Sequence, residues 1–419
     1  MRFSLFIGKR LSFKEDESST SSPGVVIAVS GIALAMVIMM IAVTVVTGFK
    51  NEIAEKVMGF ESQITIIPTL ANQNSGISNE GIELSDDLLG IITDNAPGAK
   101  ASLSLRQPGI LKTDESFQGM IFKGFSDSES FRFISDNLVE GAIPDYSAPE
   151  NRNSILISKS TARDLKLHPG DKIFAHFFLN DVIKSRNLTV SGIYDTHFSE
   201  YDKRLVFSHI SMLQRVCSVD STVGNAVEIN GIPQKVDIDE IADNIRSDAW
   251  KYVSSHRPDY IYNVENVHQT GALYFNWLEL LDTNVVVILI LMALVSGFTL
   301  ISSLFIIILE RIRTIGLLKS LGADNATIRE IFIFIAQRLV LRGLIIGNII
   351  GIGLLLIQKR FHLVPLDPDA YYLNYVPVDI NWLYIAAINV GVIIVSSLVL
   401  ILPTQIITTI SPAKSIRYE

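Results

Sequence analysis

One cysteine in 419 residues, Cys217, excludes a disulfide framework within the chain and any cysteine-rich zinc site. Charge is scarce as well. Only 19% of residues are charged against 48% hydrophobic, with a mean hydropathy of +0.36, a balance too apolar for a soluble protein of this size. Part of the chain must meet lipid. Catalytic signatures are missing: there is no G-x-x-x-x-G-K-[ST] phosphate loop, since the Gly8-Lys9 pair continues as Arg10-Leu11, so the chain cannot hydrolyse ATP by that device. There is no H-E-x-x-H, no G-x-S-x-G and no spaced Cys/His cluster, and the histidines 168, 176, 197, 209, 256, 268 and 362 are scattered. His197, near Asp195 and Glu200, reads as a solvated loop histidine rather than a metal or acid/base group. A dense basic face is also lacking. Residues 50–283 hold 21 Lys+Arg against 33 Asp+Glu, net −12, while the whole chain is −8. Nothing is left to neutralise a run of phosphates, which excludes a nucleic-acid binder.

Four stretches are apolar enough, at the 20 or so residues a bilayer demands, to be read as transmembrane helices. Val25 to Val46, Val285 to Leu309 and Trp382 to Leu402 carry no charge. Leu339 to Ile357 contains Arg342, one turn from its start and on the same face as Arg338, so both heads can snorkel to one headgroup layer. An even number of spans puts both termini on one side. Net charge is +1 for the N-terminus, +3 for the loop between spans two and three, +1 for the C-terminus and −1 for the loop between spans three and four. By the positive-inside rule the termini are cytoplasmic, and the acidic 50–283 segment lies outside. The first span is too long for a signal-peptide h-region and is followed by no small-x-small cleavage site, so it is expected to be an uncleaved anchor. Before it, Phe3, Phe6, Ile7 and Leu11 with Arg2, Lys9 and Arg10 suit a short interfacial helix.

The outer segment reads as mixed α/β. Strands are expected at 63–67, 110–113 with 117–122, 155–157, 172–178 with 188–193, and 226–230, with helices over 85–95, 158–167 and 238–250. The 172–193 stretch is expected to be a hairpin with a polar tip over 179–187. The 226–230 strand is expected to return to the sheet begun at Gln63, giving two interleaved lobes.

Between spans two and three lies Glu310-Arg-Ile-Arg-Thr-Ile-Gly-Leu-Leu-Lys-Ser-Leu-Gly-Ala323. Ile312, Ile315, Leu318 and Leu321 recur every three residues, with Arg311, Arg313 and Lys319 on other faces, so an amphipathic helix ends at Gly322 and Asp324 caps the next. Periodicity alone fits an interfacial loop helix as well as one that receives a push from a soluble motor.

Several stretches in order along nearly the whole chain carry a resemblance. They are Gly31-Ile-Ala-Leu34, Thr47-Gly-Phe-Lys-Asn-Glu-Ile53, Leu165-Lys-Leu-His-Pro-Gly-Asp-Lys172, Phe275-Asn-Trp-Leu-Glu-Leu280, Gly297-Phe-Thr-Leu-Ile-Ser-Ser-Leu304, the 310–323 helix and Ser411-Pro-Ala-Lys-Ser-Ile-Arg-Tyr-Glu419. Together they resemble the permease subunits of lipoprotein-releasing ABC transporters (LolC/LolE type) within the FtsX/MacB superfamily. The chain departs from that pattern at Thr299, where Asn is commoner, and at Arg338 and Arg342, where small residues are usual. The 179–187 tip is also shorter than the arm with which one subunit type grips a periplasmic chaperone.

The resemblance implies a membrane protein with four transmembrane α-helices and a large mixed α/β extracytoplasmic domain of the MacB type between spans one and two. The expected division is 1–24 interfacial helix and linker, 25–46 first span, 50–275 outer domain, 285–309 second span, 310–338 coupling helix and start of the third span, 339–357 third span, 358–381 outer loop, 382–402 fourth span and 403–419 cytoplasmic tail. The chain would be a non-catalytic subunit of the bacterial inner membrane, binding no cofactor itself. A cytoplasmic ABC ATPase dimer would use ATP-Mg, a second permease copy or a paralogue would complete the complex, and the cargo would be a lipoprotein drawn from the outer leaflet. The ATPase-coupling helix would present Arg311, Ile312, Ile315, Leu318, Lys319, Leu321 and Gly322. Candidate lipid contacts are Met36, Met40, Val43 and Phe298. Methionine suits a deformable apolar wall, and also plain packing. The Gly343, Gly347, Gly351 ridge reads as packing within the subunit. Asn180, Asp181 and Lys184 are candidates for docking a periplasmic lipoprotein chaperone. The alternative is an FtsX- or MacB-like permease that transmits motion to a cell-wall hydrolase or an efflux duct without moving lipid.

Overall fold

A computed structural model describes residues 23–70, 81–179, 182–233, 236–256 and 259–401. The interfacial helix expected before residue 23 and the tail after 402 lie outside the described residues, as do Asn180 and Asp181. The chain divides into two units: one takes Trp277–Pro365 with the described residues before Glu52 and after Asn374, the other Glu52–Asn276 with Leu366–Asn374.

Among the described residues, four helices are long and apolar enough to cross a membrane, and most of their length falls in the first unit. They are α1 (Pro23–Phe60), α2 (Ala272–Glu310), α4 (Asn325–Phe361) and α5 (Trp382–Val399), with the short α3 (Ile312–Ser320) between the middle two. At 1.5 Å per residue the 38 residues of α1 run to about 57 Å, against a hydrocarbon core of about 30 Å. The helix therefore does not stop at Val46 as its uncharged run does. Phe49, Ile53, Val57 and Phe60, spaced i, i+4, i+8 and i+11, keep a buried stripe going after charged residues appear. Likewise α2 starts thirteen residues before the uncharged run at Val285.

Close packing of α1 on α4 follows from glycine spacing. A Cβ at Gly343 would meet Ile32 Cβ at 2.8 Å, one at Gly347 would meet Met36 Cβ at 2.8 Å, and one at Gly351 would meet Met40 Sδ at 3.1 Å. Three glycines four apart thus form the groove into which Ile32, Met36 and Met40 sink. A Cβ at Gly31 would similarly stand 2.6 Å from Thr299 Cγ2 on α2. In hydrocarbon an interhelical amide pair has no water to compete with it. Asn348 on α4 and Asn389 on α5 donate to each other's Oδ1 at 2.8 and 3.1 Å.

The second unit is built on a ten-stranded sheet. Its strands are β1 (Ile64–Leu70), β2 (Lys100–Lys112), β3 (Phe117–Phe125), β4 (Leu138–Gly141), β5 (Ser154–Ser158), β6 (Lys172–Leu179), β7 (Val182–Tyr194), β8 (Leu205–His209), β9 (Ala226–Asn230) and β10 (Tyr260–Asn266). The main path runs β10-β1-β9-β2-β3-β8-β5-β7-β4, and β6 pairs with both β2 and β7. Ile64 stands opposite Ile229, the return of the 226–230 strand expected from sequence. One continuous sheet runs through both parts of this unit. The 13-residue β2 pairs with β9 over its first part and with β6 over Ile110–Lys112, while β3 lies along its other edge. The pairings β2-β3-β8-β5-β7-β6-β2 consequently close a ring of six strands, filled by side chains such as Phe122 and Phe177, whose rings meet edge-on with centroids 4.8 Å apart. The expected polar tip at 179–187 is also corrected, because β7 begins at Val182 and only residues 180–181 separate it from β6. Ser85 and Ser158 cap the helices Asp86–Asn95 and Lys159–Leu165, accepting from Leu88 N and Thr161 N.

Candidate functional site

The loop between α2 and α4 folds into α3, and the local chemistry explains where α3 ends and where α4 begins. Gly322 takes φ +92°, a left-handed conformation that favours glycine, and the backbone N–H of Ala323 closes onto Leu318 O at 3.0 Å. Asp324 then accepts from the backbone N–H of Thr327 at 3.1 Å, starting α4. Hydrogen bonds from the Thr327 side chain and backbone N–H hold its carboxyl below the usual range.

The outward face of α3 is not the row that periodicity picks out. Ile315 is fully buried in a cluster with Leu304, Ile308, Ile328 and Phe332, and Leu318 is half-buried against that cluster. Ile312 and Lys319 are intermediate, whereas Arg311, Arg313, Ser320 and Gly322 are exposed. The apolar side chains open to solvent are Leu317, 57% exposed, and Leu321, 77% exposed. Leu317 had carried no role in the three-residue pattern, because an i, i+3 row drifts around a helix of 3.6 residues per turn.

A second correction concerns the lipid-contact candidates. Met36 and Met40 have no exposed surface, sunk as they are against the α4 glycines, so they do not present a wall to an acyl chain. Val43 is half-buried and Phe298 is 67% exposed. The apolar side chains that stand open on α1 and α2 include Leu34, Val295 and Phe298. On α4 the Arg338 guanidinium lies 5.0 Å from the Phe334 ring centroid and Arg342 is exposed.

On the β6–β7 hairpin Lys184 is already engaged. Its ammonium donates to Val216 O at 2.7 Å and Ser218 Oγ at 2.8 Å, completing the end of the helix Ile210–Cys217. The outward side chains beside it are apolar: Phe174, Phe178, Val182 and Ile183 are each more than half exposed. Cys217 is half-buried, with its Sγ 3.6 Å from Gln107 Oε1, and burial pushes its thiol pKa up. His197 pairs with Asp195 at 3.0 Å and burial lowers its pKa, so it is less solvated than its loop position suggested. Among the described residues no group of three or more His, Cys, Asp or Glu could hold a metal.

Sequence reasoning missed the buried charges beneath α1. Glu228 and Lys123, at 3% and 2% side-chain exposure, pair at 2.9 Å. Lys123 also donates to Phe60 O at 2.8 Å, and Arg106 bridges Glu228 at 3.3 Å and Glu61 at 2.6 Å. A lysine and a glutamate more than a hundred positions apart leave no mark in local periodicity.

Comparison with known proteins agrees with this architecture. Residues 25–248 match the MacB-like periplasmic core domain family, and residues 286–412 match the FtsX-like permease C-terminal family. The chain is 22% identical over 408 residues to a "Lipoprotein-releasing system transmembrane protein LolC" of Xylella fastidiosa, covering 94% of this chain and 93% of that one. It is 22% identical over 413 residues to the LolC protein of Neisseria meningitidis serogroup B, covering 94% of each. The periplasmic region of MacB from Actinobacillus actinomycetemcomitans aligns over 53% of this chain and 97% of that one, at 11% identity and a TM-score of 0.35, too low to argue a shared fold. With the MacB-like core matched over more than half its length and the FtsX-like region following it, the chain belongs to the FtsX/MacB superfamily of ABC transporter permeases and is a membrane permease with a MacB-like periplasmic domain.

Proposed function

We propose that this chain is the permease subunit of a lipoprotein-releasing transporter of the bacterial inner membrane. A separate cytoplasmic ATPase dimer supplies the energy from ATP-Mg, and this chain with a second permease copy or paralogue draws a lipoprotein out of the outer leaflet. The observation that carries the reading is the similarity to LolC proteins along 94% of the chain, through both the MacB-like core and the FtsX-like region. The fold supports it. Helices α1 and α2, at 38 and 39 residues, both extend beyond the length that a bilayer core requires. The ATPase contact moves from the buried Ile315 to the outward Leu317 and Leu321, flanked by Arg313. Acyl-chain contact moves from Met36 and Met40 to Leu34, Val295 and Phe298. The apolar β6–β7 hairpin surface, rather than Lys184, is what a periplasmic lipoprotein chaperone would meet.

Photo-crosslinking tests the cargo. Probes at Leu34, Val295 and Phe298 are expected to capture acylated lipoprotein, and a probe at Ile394 on α5, 55% exposed, much less. Equal yields at all four would mean non-specific lipid contact and leave the mechanical alternative, a permease driving a periplasmic partner without moving lipid.

The proposed topology has its own check. Cys217 is expected outside the cytoplasmic membrane, but its half-buried thiol with a raised pKa is a slow reporter. On a Cys217→Ser background, an impermeant maleimide applied to cells with an intact inner membrane and an opened outer one should label Asp94→Cys, which is exposed on the helix Asp86–Asn95. Ser320→Cys, exposed at the end of α3, should stay unlabelled; the reverse pattern inverts the topology.

A further inference from the structure

Within the second unit, the end of α1 meets a loop distant in sequence. Lys56 donates from its ammonium to the carbonyl of Thr196 at 2.6 Å and to the carbonyl of Tyr372 at 2.9 Å. Thr196 follows β7, and its hydroxyl donates to Asp202 Oδ1 at 2.7 Å. Tyr372 comes from the connection between α4 and α5, just after the one-turn helix Pro368–Tyr371. Its backbone is left-handed, φ +61°, and its N–H closes that turn onto Pro368 O at 2.9 Å. The turn thereby delivers the Tyr372 carbonyl to Lys56.

Rings of the same segments meet around this point. Tyr372 packs on Phe198 at 4.7 Å and on Tyr274 at 6.0 Å, the latter in the first turn of α2. Phe198 and Tyr201 in turn pack on Phe60, the last residue of α1, at 6.2 and 4.6 Å. Burial lowers the Lys56 pKa, while Glu52, Asp202 and Asp195 favour its charged form. Burial also pushes the Asp202 carboxyl up to about 7. A desolvated ammonium with two carbonyl acceptors makes directional bonds, whereas the surrounding rings can slide past one another.

We infer that Lys56 is a positioning residue that ties the end of α1 to the 366–374 loop and to the sheet, so that an ATP-driven displacement of α1 moves the MacB-like domain instead of slipping against it. The inference rests on the ATP-driven part of the function proposed above and is independent of the cargo. Its distinguishing consequence is uncoupling: the ATPase keeps turning over while the domain stops moving.

The test uses the permease purified with its ATPase in lipid nanodiscs. Nitroxide labels are placed at Trp250→Cys, 56% exposed on the helix Ile238–His256, and Leu383→Cys, 73% exposed at the start of α5, on a Cys217→Ser background. In the parent protein, ATP with vanadate is expected to shift the distance distribution between the labels. In Lys56→Met the shift should vanish and lipoprotein release should fall at least tenfold, with ATP hydrolysis within twofold of the parent. Lys56→Arg, which keeps charge and donors, should restore both. If Lys56→Met fails to accumulate, Lys56→Gln, whose amide is too short to reach both carbonyls, is scored by the same criteria. An intact shift in the donor-deficient variant, a parallel loss of hydrolysis in an assembled complex, or no shift in the parent each overturns the inference. Loss of the shift in a complex whose parent releases no lipoprotein upholds the clamp and removes only the cargo assignment.

Discussion

Leu317→Asp together with Leu321→Asp is expected to strip the ATPase from the purified permease while leaving the permease folded in the membrane. These two side chains, one on α3 and one just past its end, are the apolar ones turned outward there, at 57% and 77% exposure. An apolar anchor buried in a partner's groove is worth about 2 kcal/mol or more, so each substitution should weaken association roughly 30-fold, and the pair should reduce co-purification to background. Ile315→Asp serves as the contrast. Ile315 is fully buried among Leu304, Ile308, Ile328 and Phe332, so a charge there should destabilise the helical unit itself and lower the yield of folded protein. Retention of the ATPase by the well-folded double variant would remove α3 as the coupling element.

Glu228→Gln is expected to be the most damaging single substitution in the periplasmic domain, lowering stability by about 3–5 kcal/mol because it leaves a buried cation without its counter-charge. Lys123 is 2% exposed, and once the carboxylate is gone it keeps neutral partners, the Phe60 carbonyl at 2.8 Å and the Phe125 ring at 4.8 Å, but no counter-charge bonded to it. Burial by itself would raise the Glu228 carboxyl, but Lys123 and Arg106 outweigh it and hold the pKa below the ordinary value. A carboxyl lowered on folding contributes stability that is present above its unfolded pKa and is lost as pH falls through the folded value. Acidification from pH 6 towards 3 should therefore destabilise the parent more steeply than Glu228→Gln. The double variant Glu228→Leu with Lys123→Met removes both charges and should recover most of the loss, since a buried pair replaced by apolar groups of similar volume is often neutral. Thermal unfolding of the full-length protein in detergent, followed by tryptophan fluorescence, measures all three. A Glu228→Gln protein within about 1 kcal/mol of the parent would show that water reaches the pair.

Local signals were legible where chemistry acts over a few residues. The capping serines Ser85 and Ser158, Asp324 before Thr327 and Gly322 at the end of α3 all sit where the pattern put helix boundaries. Legibility failed where a neighbour in space decides. The row Ile312, Ile315, Leu318, Leu321 was read as one face, yet Ile315 is buried and Leu321 is open. The continuation of α1 past Val46 escapes a search for apolar runs because Lys50, Glu52, Glu55 and Lys56 interrupt it. The stripe Phe49, Ile53, Val57 was visible there to a helical template, but not to one that looks for uncharged spans.

What the sequence by itself determined was therefore the medium and the class of machine. Runs of 21 to 25 residues without a charge have no stable place outside a bilayer, and the chain carries no phosphate loop of its own. What only the tertiary structure decided was which side of each helix is occupied. Met36 and Met40 are inside because three glycines of α4, some three hundred positions away, open a groove for them. The six-strand ring closes because one long strand carries different partners along its two edges. Lys56 finds the carbonyls of residues 196 and 372. Side-chain spacing along a chain specifies a face, but the identity of what covers that face depends on contacts between segments that no local period records.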